Sequence, residues 1–320
     1  MLGTFSILLP IFGLIIAGFV SRKTKVLGAT AASELNRFVV WLALPALLFD
    51  IMANSHWSEL YLPNFIGVYL IGSVMTFLLV LVWRLKQGRP LADASIDSVS
   101  AAYSNAAYVG FPLLFLVFGA SGQVPTTIAS IIVVSVVFAM AIILIEVGLQ
   151  AEVALHIKAK NVLKAVFLNP LILSPIAGVA VAAMSIHLPQ GVETFLKLLG
   201  SAASPAALVS LGLFLADAMA AQAATAKNDG GSSSSKTAWT LTFIKLILQP
   251  LLVAWLALYV FDMNHQLAMM AILLAALPTG TGPFMLAEYY RREAVVTAQT
   301  VLFSTAVSLL TLSVLLAFIK

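Results

Sequence analysis

The polar side chains that could meet a ligand gather in two otherwise apolar stretches. In YSNAAYVGFPLL, residues 103–114, Ser104, Asn105 and Tyr108 stand just ahead of Gly110 and Pro112. In ALPTGTGPFMLAEYY, residues 276–290, Thr279 and Thr281 alternate with Pro278, Gly280, Gly282 and Pro283. An uncharged amide such as Asn105 can donate to a carboxylate or accept from a protonated one. The prolines and glycines decide how such groups are presented. Pro278 has no N–H for the carbonyl of Leu274, Pro283 treats Thr279 in the same way, Pro112 frees the carbonyl of Tyr108, and the glycines weaken the helix between. In lipid, each freed backbone group is costly unless protein, water or a ligand satisfies it. Both interruptions are therefore expected to face inward, onto a cavity. A simple kink needs one proline, and Pro-Thr-Gly-Thr-Gly-Pro is more than a kink requires.

Three carboxylates, Asp50, Glu146 and Asp217, fall within apolar segments, towards their ends. An acid inside a span is a functional candidate by default, here for proton or cation coupling. Glu288 and Arg291 to Glu293 read instead as a charged cap with i, i+4 pairing. His56, His156, His187 and His265 are expected in loops or at helix ends, with no metal-ligand spacing, and no metal or cofactor is expected. No Ser–His, Asp–Asp or HExxH arrangement lies at membrane depth, which argues against an enzyme. The absence of a phosphate-binding loop argues against an ATP-driven pump. Zero cysteines exclude disulfides and thiolate chemistry.

The elements that must hold these residues follow from composition. With 61% hydrophobic and 9% charged residues, the chain departs far from soluble domains, where about 25% are charged. It reads as an all-α polytopic membrane protein with the lipid bilayer as its surroundings. The formal charge of +4 resides in short loops and signals no nucleic-acid partner. At about 20 residues per span, ten spans are expected near 3–20, 35–53, 63–84, 98–118, 124–149, 165–184, 193–219, 238–261, 266–290 and 295–318. Lys and Arg fall on alternate connections: Arg22, Lys23, Lys25 and Arg37; Arg84, Lys86 and Arg89; Lys158, Lys160 and Lys164; Lys227 and Lys236; Arg291 and Arg292. The positive-inside rule makes those connections cytoplasmic and both termini extracytoplasmic.

The ten spans read as two sets of five. LPIFGLIIAG from Leu9 aligns with SPIAGVAVAA from Ser174, and LPALL from Leu44 with SPAAL from Ser204. Five is odd, so the second copy must be inverted. The expected units are residues 1–149 and 165–320, joined by a cytoplasmic connector at 150–164. A flexible polar linker at 220–237 lies inside the second unit. The interrupted fourth and ninth spans then occupy matching places, the pattern that marks a secondary carrier's midplane site.

These residues resemble the auxin efflux carrier family, which includes the plant PIN-FORMED exporters and many bacterial transporters. The most specific match is ALPTGTGPFMLAEY in the ninth span, followed by SNAAYVGFPLL in the fourth and LALPALLF in the second. The resemblance covers both halves in order. It implies ten helices in two inverted repeats, the fourth and ninth broken and crossing at the substrate site, and transport of organic anions. It places substrate contacts at Ser104, Asn105, Tyr108, Pro278, Thr279, Gly280 and Thr281. Gly110, Pro112, Gly282 and Pro283 would then set the geometry of the crossing. The chain lacks the plant exporters' long central loop, as bacterial members do. Ser104 stands where plant members have proline, and Thr279 where they often have glutamine, which puts auxin itself in question.

The expected function is a secondary carrier of a small organic anion, a carboxylate of auxin-like or simpler kind, working by alternating access in a bacterial cytoplasmic membrane. Efflux of an anion from a cell negative inside gains about 2.3 kcal/mol per charge per 100 mV, so an electrogenic uniporter is expected. Proton- or sodium-coupled symport and a non-transporting ligand sensor are the alternatives. A homodimer is compatible with the reading. The topology can be tested in this cysteine-free background. An impermeant thiol reagent applied to intact cells should label a cysteine placed in the 54–63 connection and spare Ser233→Cys. Labelling of Ser233→Cys from outside would invert the assignment.

Overall fold

The computed structural model describes residues 2–54, 60–150, 168–224 and 230–319. Among them the secondary structure is helical apart from one isolated β-bridge. In chain order the helices are α1 (Leu2–Lys23), α2 (Ala31–Ala53), α3 (Pro63–Lys86), α4 (Leu91–Ala102), α5 (Phe111–Phe118), α6 (residues 123–149) and α7 (Pro170–Ala183). There follow α8 (Gln190–Ser201), α9 (Ala203–Ala224), α10 (residues 230–260), α11 (His265–Ala275), α12 (Gly282–Tyr290) and α13 (Ala294–Ile319).

Among the described residues, six stretches are long and apolar enough to cross a membrane: Ala31–Ala53, Pro63–Lys86, Phe111–Leu149, Gln190–Asp217, Ser234–Val260 and Ala294–Ala317. Phe111–Leu149 is not a single rod. A straight helix of its 39 residues would run about 58 Å, roughly twice the hydrocarbon thickness. Gly119, at φ +65°, turns the chain between α5 and α6. Two shorter apolar helices, α7 and α11, accompany the six.

The faces of these helices reverse the soluble pattern. Along α3, Ile71, Met75, Leu78, Leu79 and Val82 are exposed, whereas Tyr69, Ser73 and Thr76 are buried with Phe65, Val68 and Phe77. The exposed positions follow the 3.6-residue period and present an apolar stripe outward, so the polar groups turn inward. α13 does the same with Thr297, Thr300, Ser304, Thr305 and Ser308, all buried. Each donates its hydroxyl to a carbonyl three or four residues back, which satisfies it without a partner helix.

Prolines inside these helices are accommodated by local widening. Pro45, Pro112 and Pro250 each follow a five-residue π-turn, at Val39–Ala43, Ala106–Gly110 and Ile244–Leu248. A proline ring collides with the carbonyl four residues earlier. In all three cases that carbonyl, of Trp41, Tyr108 or Leu246, belongs to the widened turn. Similar turns at Ile132–Val137 and Leu256–Val260 have no proline after them.

Each of the ten stretches expected from hydropathy contains helix among the described residues, while several ends differ from the expected ones. The fourth begins at Leu91 rather than near 98, so Asp93 and Asp97 are helical and buried. Arg84, expected in a loop, is buried as well and holds Asp97 at 2.6 Å. A carboxylate survives burial when a hydrogen-bonded cation neutralises it, and hydropathy sees only the two charges. Arg291 to Glu293 do not form the expected intrahelical cap. Arg292 reaches Asp93 at 2.5 Å, and Glu293 pairs with Arg89, tying the end of α12 to α4. α9 and α10 extend to Ala224 and from Gly230 into the stretch expected as a flexible linker. Residues 225–229 lie outside the described set, as do 151–167, which hold nearly all of the expected connector, and His56 and His156.

Among the described residues, the helix pairs in most extensive contact are α1 with α9 and α7 with α2. A Cβ added at Gly18 of α1 would sit 2.2 Å from the Val209 carbonyl oxygen, and one at Gly212 of α9 would sit 2.0 Å from that of Ile15. Small residues let backbones approach this closely, which is how membrane helices gain packing energy without a hydrophobic drive between them. Gly212→Leu should therefore separate α1 from α9 and destabilise the protein by about 1–3 kcal/mol. A lower Tm in detergent checks this, while Gly13→Leu, whose Cβ would meet nothing within 4 Å, should leave it unchanged.

Candidate functional site at the meeting of two interrupted segments

α4 ends at Ala102, and the chain runs through Tyr103 (φ −90°, ψ 93°) and Asn105 (φ −77°, ψ 55°) before the Ala106–Gly110 turn. α11 ends at Ala275, and α12 begins at Gly282. Between these ends the two segments pair as an antiparallel bridge, Ser104 opposite Thr279. The Asn105 amide donates to the Pro278 carbonyl at 2.9 Å and the Gly280 amide to the Tyr103 carbonyl at 3.0 Å.

Further backbone groups are met by side chains from three helices and from the bridge itself. Tyr69 of α3 donates its hydroxyl to the Leu274 carbonyl at 3.4 Å. Lys245 Nζ of α10 donates to the Ala275 carbonyl at 2.5 Å, and Gln249 Nε2, one turn on, reaches the Ala102 carbonyl at 3.4 Å. Ser304 of α13 accepts from the Thr279 amide at 3.1 Å, and Thr279 Oγ1 itself donates to the Ser100 carbonyl of α4 at 2.8 Å. Freed carbonyls at a buried helix end demand such partners.

The proposed contacts separate into two kinds. Ser104, Asn105, Thr281 and Gly282 line a small closed cavity of about 20 Å³, with Ser130 of α6 and Ser204 of α9. That is space for about one water molecule. The Asn105 side chain is buried. Thr279 is fully buried and committed to Ser100, so it holds the backbone. Pro278 contributes its carbonyl to the bridge. Gly280 and Gly282 make room for the Tyr103 ring, whose atoms lie 2.8 Å from where either Cβ would be. Gly110 packs on Leu274, Leu277 and Thr126. Pro283 falls in the first turn of α12, where a missing N–H costs nothing. Pro112 lies in the corresponding place in α5. Tyr108 belongs to the Ala106–Gly110 turn, and its side chain lies outside the described set.

Two larger spaces flank this cavity. One of about 530 Å³ is lined by Asp50, Asn54, Gln123, Thr127, Ser130 and Lys197. The other, of about 990 Å³, is lined among others by Asn36, Arg37, Glu288, Arg291 and Glu293. α2 borders all three, the largest through Ser33, Asn36, Arg37 and Trp41, the smallest through Val39, Leu44 and Leu47, and the third through Asp50 and Ile51. The wide spaces thus lie towards opposite ends of α2, with the closed cavity between them. Ser130 borders both the closed cavity and the 530 Å³ space, so the two are neighbours.

The candidate coupling acids stand apart from the closed cavity. Asp217 is paired with Arg22 at 2.5 Å. Glu146 accepts from the Tyr290 hydroxyl at 2.8 Å. Asp50 accepts from Asn54 at 2.7 Å within the 530 Å³ space. No cluster of metal-ligating side chains occurs among the described residues. The sequence reading does not single out Ser130, Lys197, Tyr69, Lys245 or Gln249 as site residues. The missed signal was a cation and an amide at i, i+4 inside an apolar span, where polar residues are functional candidates.

These roles predict different outcomes for two substitutions. Asn105→Ala should weaken ligand binding by about 1–3 kcal/mol, the range for a lost buried hydrogen bond to a charged group, with little change in Tm. Thr279→Val should lower the Tm and leave affinity nearly intact. Calorimetric titration and thermal unfolding of both variants separate the two, and wild-type affinity in Asn105→Ala would remove that residue from the site.

Residues 4–316 match the family model described as "Membrane transport protein". A protein of Rhizobium meliloti (strain 1021) named "Putative malonate transporter" is 28% identical over 319 residues, 98% of this chain and 95% of that one. The "Uncharacterized transporter YfdV" of Escherichia coli (strain K12) is 23% identical over 288 residues, 88% of this chain and 87% of that one. The "Lysosomal cholesterol signaling protein" of Mus musculus is 31% identical over 118 residues, 34% of this chain and 13% of that one. The chain is a multi-pass membrane protein and a transporter rather than an enzyme, and it belongs to the membrane transport protein family of the auxin efflux carriers.

Proposed function

We propose that this protein is a secondary carrier of small organic anions and that a short carboxylate, malonate first among those to test, is its substrate. The observation that carries the reading is the closed cavity between two wide spaces along α2. A channel would be continuous, whereas a carrier must close on its substrate from both sides in turn. Opening towards Ser130 would connect the cavity to the space of Lys197 and Asp50, and opening at the other end of α2 would connect it to that of Arg37 and Arg291. Each space holds cations beside acids, Lys197 with Asp50 in one and Arg37 and Arg291 with Glu288 and Glu293 in the other, so the choice of an anion falls to the centre. At the centre the Asn105 amide, the Ser130 hydroxyl and the first turn of α12 provide dipoles for a carboxylate without a fixed charge. The malonate choice rests on the name of the Rhizobium relative.

In this reading α4 with α5 is one span and α11 with α12 another, each broken where they cross. Residues 1–149 and 165–320 are inverted repeats joined by the 150–164 connector. The helix packing supports that symmetry. Exchanging the first two spans of each half converts the pair α1 with α9 into α7 with α2, and these are the two pairs in most extensive contact. Both are tight at a glycine, since a Cβ at Gly178 would approach the Phe49 carbonyl oxygen to 2.6 Å. The positive-inside rule puts the Arg37 and Arg291 space on the cytoplasmic side of a bacterial inner membrane, with both termini outside.

The partners found for Asp217 and Glu146 favour structural roles for these acids, so transport is read as uniport driven by voltage. In proteoliposomes, radiolabelled malonate efflux should rise when a potassium–valinomycin gradient makes the interior negative and persist in sodium-free buffer. Accumulation driven by a pH gradient alone at zero voltage, and abolished by Glu146→Gln or Asp217→Asn, would replace uniport with proton symport. Binding of organic acids with no flux under any gradient would point to a sensor.

A further inference from the structure

α10 and α13 run side by side and then part. Over Gly230–Phe243 the first packs closely on the second, with the rings of Trp239 and Phe303 stacked at 4.6 Å between centroids. Further along, Gln249–Trp255 packs on α11 and α3, and its contact with α13 is thin. α11 in turn packs on α10, α3 and α6 and only lightly on α13. The parting leaves a groove of about 460 Å³ between α10, α11 and α13. Leu246, Ile272 and Leu273 are buried at its floor, and Leu251, Leu310 and Val314 are exposed at its rim. Ala254, which also lines it, is too small to fill it.

The dimensions narrow what can lie there. α11 has 11 residues, so it is about 16 Å long, roughly half the hydrocarbon thickness, and occupies one leaflet. The groove on its flank has a similar reach, because the lining of α10 runs from Leu246 to Ala254, a rise of about 12 Å. Its volume is that of a ligand pocket, and its apolar lining gives water too few partners to stay. A helix of a second copy, about 10 Å across, would need roughly twice that volume over the same length. The rim residues open outward as the apolar stripe of α3 does, towards lipid. We propose that the acyl chain of a bilayer phospholipid fills this groove as a structural ligand, replacing the contact that α10 and α13 give up and bracing the flank of α11. A linear chain laid on a buried floor gains dispersion contacts that an empty groove forfeits. Because α11 ends at the bridge, the carrier reading adds one consequence: the lipid would bear on the crossing from outside the protein.

The test uses the purified full-length protein in nanodiscs of palmitoyl-oleoyl phosphatidylcholine that contain a trace of the same lipid with a mid-chain diazirine. After photolysis, the adducts are mapped by mass spectrometry. Leu246 and Ile272, at 2% and 8% exposure, should be labelled, because only a chain inside the groove reaches them. Leu79 and Val82 of α3, both exposed, measure ordinary lipid contact. Ala254→Phe, whose ring fills the groove, should lower labelling of Leu246 and Ile272 several-fold and leave that of Leu79 and Val82 unchanged. Val314→Trp, which covers the mouth from an exposed position, serves where the phenylalanine variant does not fold. Labelling confined to exposed residues overturns the proposal, as does labelling of Leu246 and Ile272 that survives these substitutions. In sodium cholate, which has no alkyl chain, added phosphatidylcholine should raise the Tm of the delipidated wild type by several degrees and that of Ala254→Phe not at all. An equal response in the two proteins overturns the bracing role. A wild type that takes the label in the groove and moves no organic anion overturns the carrier reading alone.

Discussion

The architecture depends on one constraint: a backbone carbonyl or amide released inside a membrane has no water to turn to. Two helices stop at Ala102 and Ala275, and the structure around them is arranged to receive what they release. The two segments satisfy part of the need reciprocally, Asn105 to Pro278 and Gly280 to Tyr103. Tyr69, Lys245, Gln249 and Ser304 satisfy more, from three different helices. Because these side chains come from other elements, the bridge fixes the relative positions of α3, α10 and α13 as much as they fix it. The polar residues of this apolar protein are concentrated where backbone order is interrupted.

The same constraint explains what a reader of the sequence can and cannot see. The interruptions are legible, because proline and glycine act locally and their effect does not depend on the fold. The spans are legible because lipid selects apolar composition over their whole length. The partners are not legible. Nothing local says that Lys245 ends at the carbonyl of Ala275, thirty residues on, or that Thr279 spends its hydroxyl on Ser100, 179 residues away. Charge is where hydropathy misleads. Arg84 and Asp97 look like a loop when counted singly and are a buried pair when found together, so the start of α4 was set too late. Pro283 misled in the opposite sense, since it opens α12 rather than breaking it.

The packing divides the molecule by stiffness. α1 with α9 and α7 with α2 meet at glycines with backbone nearly against backbone, contacts that leave little room for sliding. The bridge is held chiefly by hydrogen bonds and by the Tyr103 ring wedged over Gly280 and Gly282, with Phe138 beside it at 5.6 Å between centroids. At their polar ends α4 and α12 are joined by the pairs of Asp93, Arg89, Arg292 and Glu293. In the proposed carrier cycle, motion that opens either space would carry α4 and α12 together past α2, whose residues border both spaces.

The narrowness of the central cavity also shapes how the protein would feel voltage. Spaces of about 530 and 990 Å³ admit water and ions, and a conducting solution cannot sustain much of a potential difference across itself. The membrane field would then collapse onto the short, dry segment around Asn105 and Thr281. An anion shifted only a few ångströms there crosses most of the potential, at about 2.3 kcal/mol per charge per 100 mV. A carrier of this shape is a thin capacitor between two wells, and a sub-nanometre rearrangement moves nearly a full charge through the field.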